Sequence, residues 1–370
     1  LLWVLHLPTD EQSLAALPDQ MEYRTLAKNW LASGIYQFHD DRFHQDVLAY
    51  RTPGYPALIA LCGGSIRLTR IAQALIDASS ILAIWILAGR WLSDRAALTG
   101  VWFVCLSPWL IYFSGLLLSE TLYTALLTWG MVLLSRSGRW RIGGMFLLAV
   151  SVLVRPSAVL LPVILTAIVA KNRWRDAGIA LALTVAMLAP WAARNHARLG
   201  QWIWLTTNGG ITLYDGLNPS ATGASDQRFV RSMPELQSMG EVQRDRYLHQ
   251  AAMQFAEEHP ARVIQLSIAK ILRTWSPIPL GESYRDDVRY IAIGLAYSLP
   301  LFAMAIAGLF ARSLSGETKG FLLAPAIYIT LMQAAGVGSL RYRTPADVPL
   351  AVLAVSAIKN RPTASLNGGA

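Results

Sequence analysis

From residue 71 to residue 358 the sequence is built largely of apolar runs, at 71–89, 96–113, 115–134, 142–154, 157–170, 177–191, 290–311, 320–337 and 345–358. A soluble domain would have to cover each of these runs on every side with other protein. A bilayer supplies that cover, and inside it each segment must bond its own backbone polar groups, so the runs are read as helices. The expected fold class is an all-α polytopic integral membrane protein with nine to ten transmembrane helices. The tenth is residues 1–7, read as the outer remnant of a first transmembrane helix. Several runs fall short of the ~20 residues that cross a ~30 Å hydrocarbon core, so flanking Trp, Tyr and Arg or local thinning must extend them. Composition agrees, with 54% hydrophobic and 15% charged residues, where soluble domains carry about 25% charged.

A formal net charge of +9 would suggest a polyanionic partner, but its placement argues otherwise. The loops at 90–95, 135–141, 171–176 and 312–319, with the tail at 359–370, hold 12 of the 32 Lys and Arg and 3 of the 23 Asp and Glu. The remainder is balanced. The excess therefore lies on alternate loops, as the positive-inside rule expects of cytoplasmic segments. Basicity here records topology, and no nucleic-acid partner is expected. The two cysteines, Cys62 and Cys105, read as free buried thiols.

Parity then places residues 8–70 and 192–289 outside the cytoplasm as two sizeable loops. They flank a bundle at 71–191, and helices at 290–358 lead to a cytoplasmic tail, 359–370. The first loop holds a helical pattern at 21–33 closed by Gly34, then a short apolar stretch after Pro53 that reads as a surface helix. The second starts with loop signals (Asn208-Gly209-Gly210, Asn218-Pro219) and continues into amphipathic helices at 243–258 and 261–275. Val154-Arg155-Pro156 is read as the turn of a helical hairpin.

Polar residues gather where the outer loops meet the membrane. Asp19 is either an N-cap of the following helix or a reactive acid. Glu120, at the outer end of an apolar helix, must be paired, hydrated or metal-bound. Arg155, Arg194, Arg341 and Arg343 lie at outer helix ends, with Arg51 before Thr52-Pro53. Outer arginines fall outside the positive-inside rule, and their planar forks suit phosphate oxygens, although interfacial anchoring explains each singly. As a set with two carboxylates they point to a site for a phosphorylated lipid. Asp77 could pair with Arg67 or Arg70, and His39, Asp40, Asp41 and His44 read as a solvated loop. No phosphate-cradling loop, nucleophile elbow or dinucleotide fingerprint is present.

In order, Asp19-Gln20-Met21-Glu22-Tyr23, Arg51-Thr52-Pro53-Gly54-Tyr55-Pro56, Ser119-Glu120, Arg155-Pro156, Pro190-Trp191 with Arg194-Asn195, and Arg341-Tyr342-Arg343 resemble the GT-C membrane glycosyltransferases. Asn208-Gly209-Gly210, Asn218-Pro219 and His259-Pro260 complete the series. The nearest branch is the bacterial relatives of protein mannosyltransferases and of lipid A aminoarabinose transferase, of the glycosyltransferase family 39 type. The resemblance implies an inverting transferase that moves a sugar from a polyprenyl-phosphate donor to an acceptor hydroxyl at the outer face of a bacterial plasma membrane. The acceptor would be a lipid, a glycan or a protein. It implies Asp19 as catalytic base and Glu120 as a second acid that orients the acceptor or helps hold a divalent metal. Arg51, Arg155, Arg194, Arg341 and Arg343 would bind the donor phosphate, with Glu22, Tyr23, Asn195 and Tyr342 in support. Gln20 stands where many relatives have Glu, so a metal remains an open cofactor. The rival classes are a secondary transporter or lipid-linked-sugar flippase, which would place charges at the midplane, and a non-catalytic envelope-assembly protein.

Overall fold

The computed structural model describes residues 2–15, 17–281 and 284–358; the tail expected at 359–370 lies outside them. In chain order the elements are α1 (Leu2–His6), α2 (Pro18–Ser33), β1 (Phe38–Asp40), β2 (Gln45–Val47), α3 (Gly54–Leu61), α4 (Ile66–Ala88), α5 (Asp94–Cys105), α6 (Pro108–Ser114), α7 (Glu120–Leu134), α8 (Arg139–Val154) and α9 (Leu161–Val169). They continue with α10 (Arg173–Leu199), α11 (Gly209–Gly216), α12 (Phe229–Ser232), α13 (Glu241–Glu258), α14 (Pro260–Thr274), α15 (Val288–Phe310), α16 (Gly316–Ala335) and α17 (Leu340–Val355).

Each apolar run expected to cross a membrane is occupied by helix, but the count of spans differs. By length and apolar composition three helices of the described residues can cross, α4, α10 and α15, and a fourth if α5 and α6 form one span bent by 50°. The bend falls at Ser107-Pro108. Proline cannot continue the hydrogen-bond ladder, and the Ser107 side chain restarts the helix by accepting from Leu110 N at 3.3 Å. The other candidates are helices of 9 to 20 residues, so nine to ten spans do not follow from helix length alone.

Two ends of the bundle can be told apart. At one, Arg90 donates to Ser135 O at 2.9 Å and Arg141 lies 3.8 Å from Asp176, gathering the basic loops. At the other, Leu153 of α8 and Trp191 of α10 share a cluster with Tyr36, Phe38 and Tyr50. Helices α8 and α10 therefore run parallel, and α9 between them runs back, so the chain reverses at Arg155-Pro156. Arg155 is extended (φ −137°, ψ 92°), the conformation a following proline favours.

Elements outside the apolar bundle sit over this second end. Helix α2 begins at Pro18, earlier than its sequence pattern suggests. It stops at Gly34, whose φ of +70° is the left-handed C-cap that glycine supplies. Residues 38–47 form a short antiparallel hairpin where the sequence reads as solvated loop. Asn208-Gly209-Gly210, read as loop, starts α11. A side chain at Gly210 would strike Asp245 O of α13, so only glycine allows that approach. The amphipathic helices appear as α13 and α14, within two residues of their expected bounds.

Glycines also let α7 and α8 touch along their lengths. A β-carbon at Gly144 would lie 2.6 Å from Leu134 N and 2.8 Å from Gly130 O. Gly144→Val should therefore destabilise the protein by about 1–3 kcal/mol or more, read as a fall in melting temperature in detergent. Gly143→Val, whose β-carbon would meet only a Leu133 side-chain atom at 3.6 Å, should leave that temperature nearly unchanged.

Candidate active site

Three acids are brought together by helix geometry. On α2, Asp19, Glu22 and Tyr23 are spaced i, i+3 and i+4 and share one face. Glu120 is the first residue of α7 and fully buried. Asp19 is not an N-cap: Leu17 holds that position and Pro18 begins the helix, leaving the Asp19 carboxylate to face the bundle end.

Arginines interleave these acids. Arg51 Nη2 donates to Asp19 Oδ1 at 2.6 Å and to Glu22 Oε2 at 2.5 Å, and its Nε reaches the same Glu22 oxygen at 2.9 Å. The guanidinium lies over the Tyr23 and Tyr50 rings at 5.1 and 5.2 Å. Arg341 Nη1 donates to the other Asp19 oxygen at 2.6 Å, and its Nε donates to Glu120 Oε1. Arg155 Nη2 lies 3.6 Å from that Glu120 oxygen, with its guanidinium between Tyr123 and Tyr342. At the far end Arg42, bound to Asp40 at 2.7 Å, approaches Glu22 to 3.7 Å. The result is an alternating row, Arg42, Glu22, Arg51, Asp19, Arg341, Glu120, Arg155.

Asp19 stands at the middle of this row and between two cavities. One, of about 500 Å³, is lined by Arg155, Tyr23, Ser119, Tyr328 and Gln333. The other, of about 560 Å³, is lined by Trp109, Tyr112, Phe113, Tyr284 and Arg273. Asp19, Arg51, Arg341, Tyr342, Asn208 and Thr212 border both. Each volume suits a small molecule or one headgroup. Arg155 lines only the first, where its Nη1 has no hydrogen-bond partner.

Two of the sequence-predicted arginines stand elsewhere. Arg194 spends its guanidinium on Leu48 O (2.7 Å), Tyr36 O (2.5 Å) and Asn195 Oδ1 (3.0 Å). Asn195 in turn donates to Ile203 O at 2.9 Å, so both residues fasten α10 to the loops. Arg343 is fully buried, donating to Ser276 O at 2.9 Å and Ser298 Oγ at 3.0 Å beneath the Phe302 ring. Neither arginine lines either cavity. Asp77 makes no ion pair with Arg67 or Arg70; Arg70 donates instead to Pro8 O at 2.5 Å.

No group of three His, Cys, Asp or Glu among the described residues could hold a metal ion, and guanidinium groups already fill the spaces between the carboxylates. Sequence reading also missed Glu241, whose carboxylate accepts from Leu48 N, Ala49 N and Thr207 Oγ1 at 2.9–3.2 Å and so fixes the loop that carries Arg51. An acid that opens an ordinary amphipathic helix gives no sequence signal for that role.

The profile of the Alg9-like mannosyltransferase family matches residues 23–193. Among solved structures, the oligosaccharyltransferase of Archaeoglobus fulgidus, crystallised with a tethered acceptor peptide, is similar over 91% of this chain and 45% of its own, at 14% identity and TM-score 0.50. The chain thus spans less than half the length of that enzyme. ArnT of Cupriavidus metallidurans bound to undecaprenyl phosphate is similar over 92% of this chain and 73% of its own, at 13% identity and TM-score 0.40. No curated protein matches. The family profile thus covers 171 of the 370 residues, and the likeness to the oligosaccharyltransferase is one of fold. The alternating row therefore sits in a fold that this chain shares with that oligosaccharyltransferase.

Burial opposes ionisation of Asp19, but Arg51 and Arg341 outweigh it and hold the carboxyl well below the usual range. A depressed carboxyl stabilises the fold above its unfolded value, near 3.9, and loses that effect as pH falls toward the folded value. The melting temperature of the wild type should accordingly drop more steeply below about pH 4 than that of Asp19→Asn, measured by thermal scans between pH 3 and 6.

Proposed function

We propose that this protein is an inverting glycosyltransferase that moves a sugar from a polyprenyl-phosphate donor to an acceptor hydroxyl. The observation that carries the reading is the position of Asp19, between two cavities and flanked by arginines on both sides. The Arg155 side suits the donor. Arg155 and Arg341 present guanidinium groups to a phosphate there, and the Tyr328, Met332 and Leu160 wall suits apolar chain. The aromatic cavity takes the acceptor.

In the reaction the acceptor oxygen forms a bond to the anomeric carbon as the bond from that carbon to the phosphate oxygen breaks. The hydroxyl proton passes to Asp19, and the polyprenyl phosphate leaves with the electron pair. Asp19 held by two arginines is a weak base. An arriving phosphate competes for Arg341, and each hydrogen bond it withdraws from Asp19 raises the basicity of the carboxylate at the moment it is needed. Glu120 keeps Arg341 within reach of both.

The site lies at the end of the bundle away from the basic loops. With those loops in the cytoplasm, the reaction takes place at the extracytoplasmic face, in a bacterial plasma membrane. That one-ended placement of charge also separates this reading from a secondary transporter.

The test is transfer from radiolabelled polyprenyl-phosphate sugars to acceptors in membrane extract, at equal folded yield. Asp19→Asn leaves Arg51 with Glu22 and Arg341 with Glu120, so it should fold. It should lose ~10²–10⁴-fold in kcat; transfer equal to wild type would remove Asp19 from the chemistry. Arg155→Met should raise the donor KM about tenfold, the equivalent of one charge-assisted hydrogen bond, with a smaller change in kcat. Unchanged donor KM would move the phosphate away from Arg155.

A further inference from the structure

The turn between α16 and α17 delivers Arg341 to the site, and a buried lysine outside the site holds that turn. Lys270, on α14, is fully buried. Its Nζ donates to Ala335 O at 3.0 Å and Ala334 O at 3.3 Å, and Ser267 Oγ reaches Ala334 O at 3.1 Å. The last carbonyls of a helix have no partner within it, and a cation at that end also meets the negative end of the helix dipole. Lys270 therefore caps α16 from a different part of the chain.

The surrounding backbone is packed to match. Gly338 N donates to Gly223 O at 2.8 Å. A β-carbon at Gly216 would strike Gly336 O, and one at Gly338 would strike Lys270 O. Three segments, at 215–223, 267–270 and 334–338, thus meet at Lys270. From Ala335 to Arg341 the chain is short, and Val337, Arg341 and Tyr342 all border both cavities.

We infer that Lys270 is a positioning residue for Arg341: its ammonium group fixes the turn after α16 so that the guanidinium reaches Asp19 and Glu120. The inference deepens the transferase reading and rests on it for the meaning of Arg341 in the reaction. Burial pushes the Lys270 ammonium down to about 8, with Asp215 of α11 opposing the shift. Among the described residues Asp215 is the charged group acting on it; α16 and the turn at 336–338 present backbone carbonyls. The cap is thus complete near neutral pH and weakens as pH rises through about 8.

Hydrogen exchange on the full chain in detergent tests this without requiring activity. Relative to intrinsic rates, wild-type amides at 336–342 should exchange at least tenfold faster at pH 9 than at pH 7, while those of α7 and α8 hold. Lys270→Met should show the fast exchange at both pH values, and Ser267→Ala, which removes one bond to Ala334 O, a smaller increase in the same amides. In parallel, Lys270→Met should weaken undecaprenyl phosphate binding about tenfold and add nothing in an Arg341→Met background. Unchanged exchange at 336–342 in wild type across pH and in Ser267→Ala would overturn the inference, as would additive effects of Lys270→Met and Arg341→Met. Exchange that follows Lys270 in a protein that transfers no sugar would uphold the cap and remove the transferase reading instead.

Discussion

Burying charge at the end of an apolar bundle is the constraint on which the rest of this structure depends. A carboxylate or guanidinium withdrawn from water is tolerated only when it is paired and hydrogen-bonded. Here the pairing is a row in which Asp19, Arg341 and Glu120 come from α2, α17 and α7 and Arg51 from the loop before α3. Parts of the chain more than 300 residues apart are held in register by it. Glu120 is its fully buried member and the others are part-buried, so the row fixes geometry as well as charge. The tighter tolerances lie one layer out, where Glu241, Arg194 and Lys270 fasten to backbone the loops and turns that carry its members.

The row also decides what chemistry the site can do. Its acids and arginines nearly balance, so an incoming anion is not held by bulk positive charge. It must compete with a carboxylate for a particular guanidinium. A phosphate does this well, because the arginine fork matches its oxygens. Competition at Arg341 is felt at once by Asp19, which shares it. Under the proposed transferase reading, recognition of the donor and readiness of Asp19 as base are one electrostatic event, because both act through Arg341.

Much of this was legible in the sequence, for identifiable reasons. Long apolar runs mark helices because a single segment in hydrocarbon can satisfy its own backbone groups only as a helix, and Pro156 marks where one of them ends; the bend at Pro108 fell inside the run read as one span at 96–113. Glu120 stood out because an acid is costly in such surroundings. The arginines were harder. Arg194 after Pro190-Trp191 and Arg341 before Tyr342 look alike in sequence, and only the carbonyls of Tyr36 and Leu48, folded against α10, make the first an anchor. Arg343 lies two residues from Arg341, yet faces α15 instead of the cavities. The hairpin at 38–47 has three-residue strands, too short for an alternating pattern. Helix α11 was hidden because glycines that permit close packing read the same as glycines that permit a loop. The number of membrane spans is not set by helix length in either description.

The central claim is that a phosphate engages Arg155 and Arg341 and, in doing so, loosens the hold on Asp19. A structure of the protein bound to undecaprenyl phosphate in a lipid nanodisc tests it most directly. The account predicts the phosphate in the cavity lined by Arg155, within hydrogen-bond distance of Arg155 and Arg341, with the contact from Arg341 to Asp19 lengthened or broken. A phosphate bound away from both arginines, or bound there with both arginine contacts to Asp19 unchanged, would contradict it.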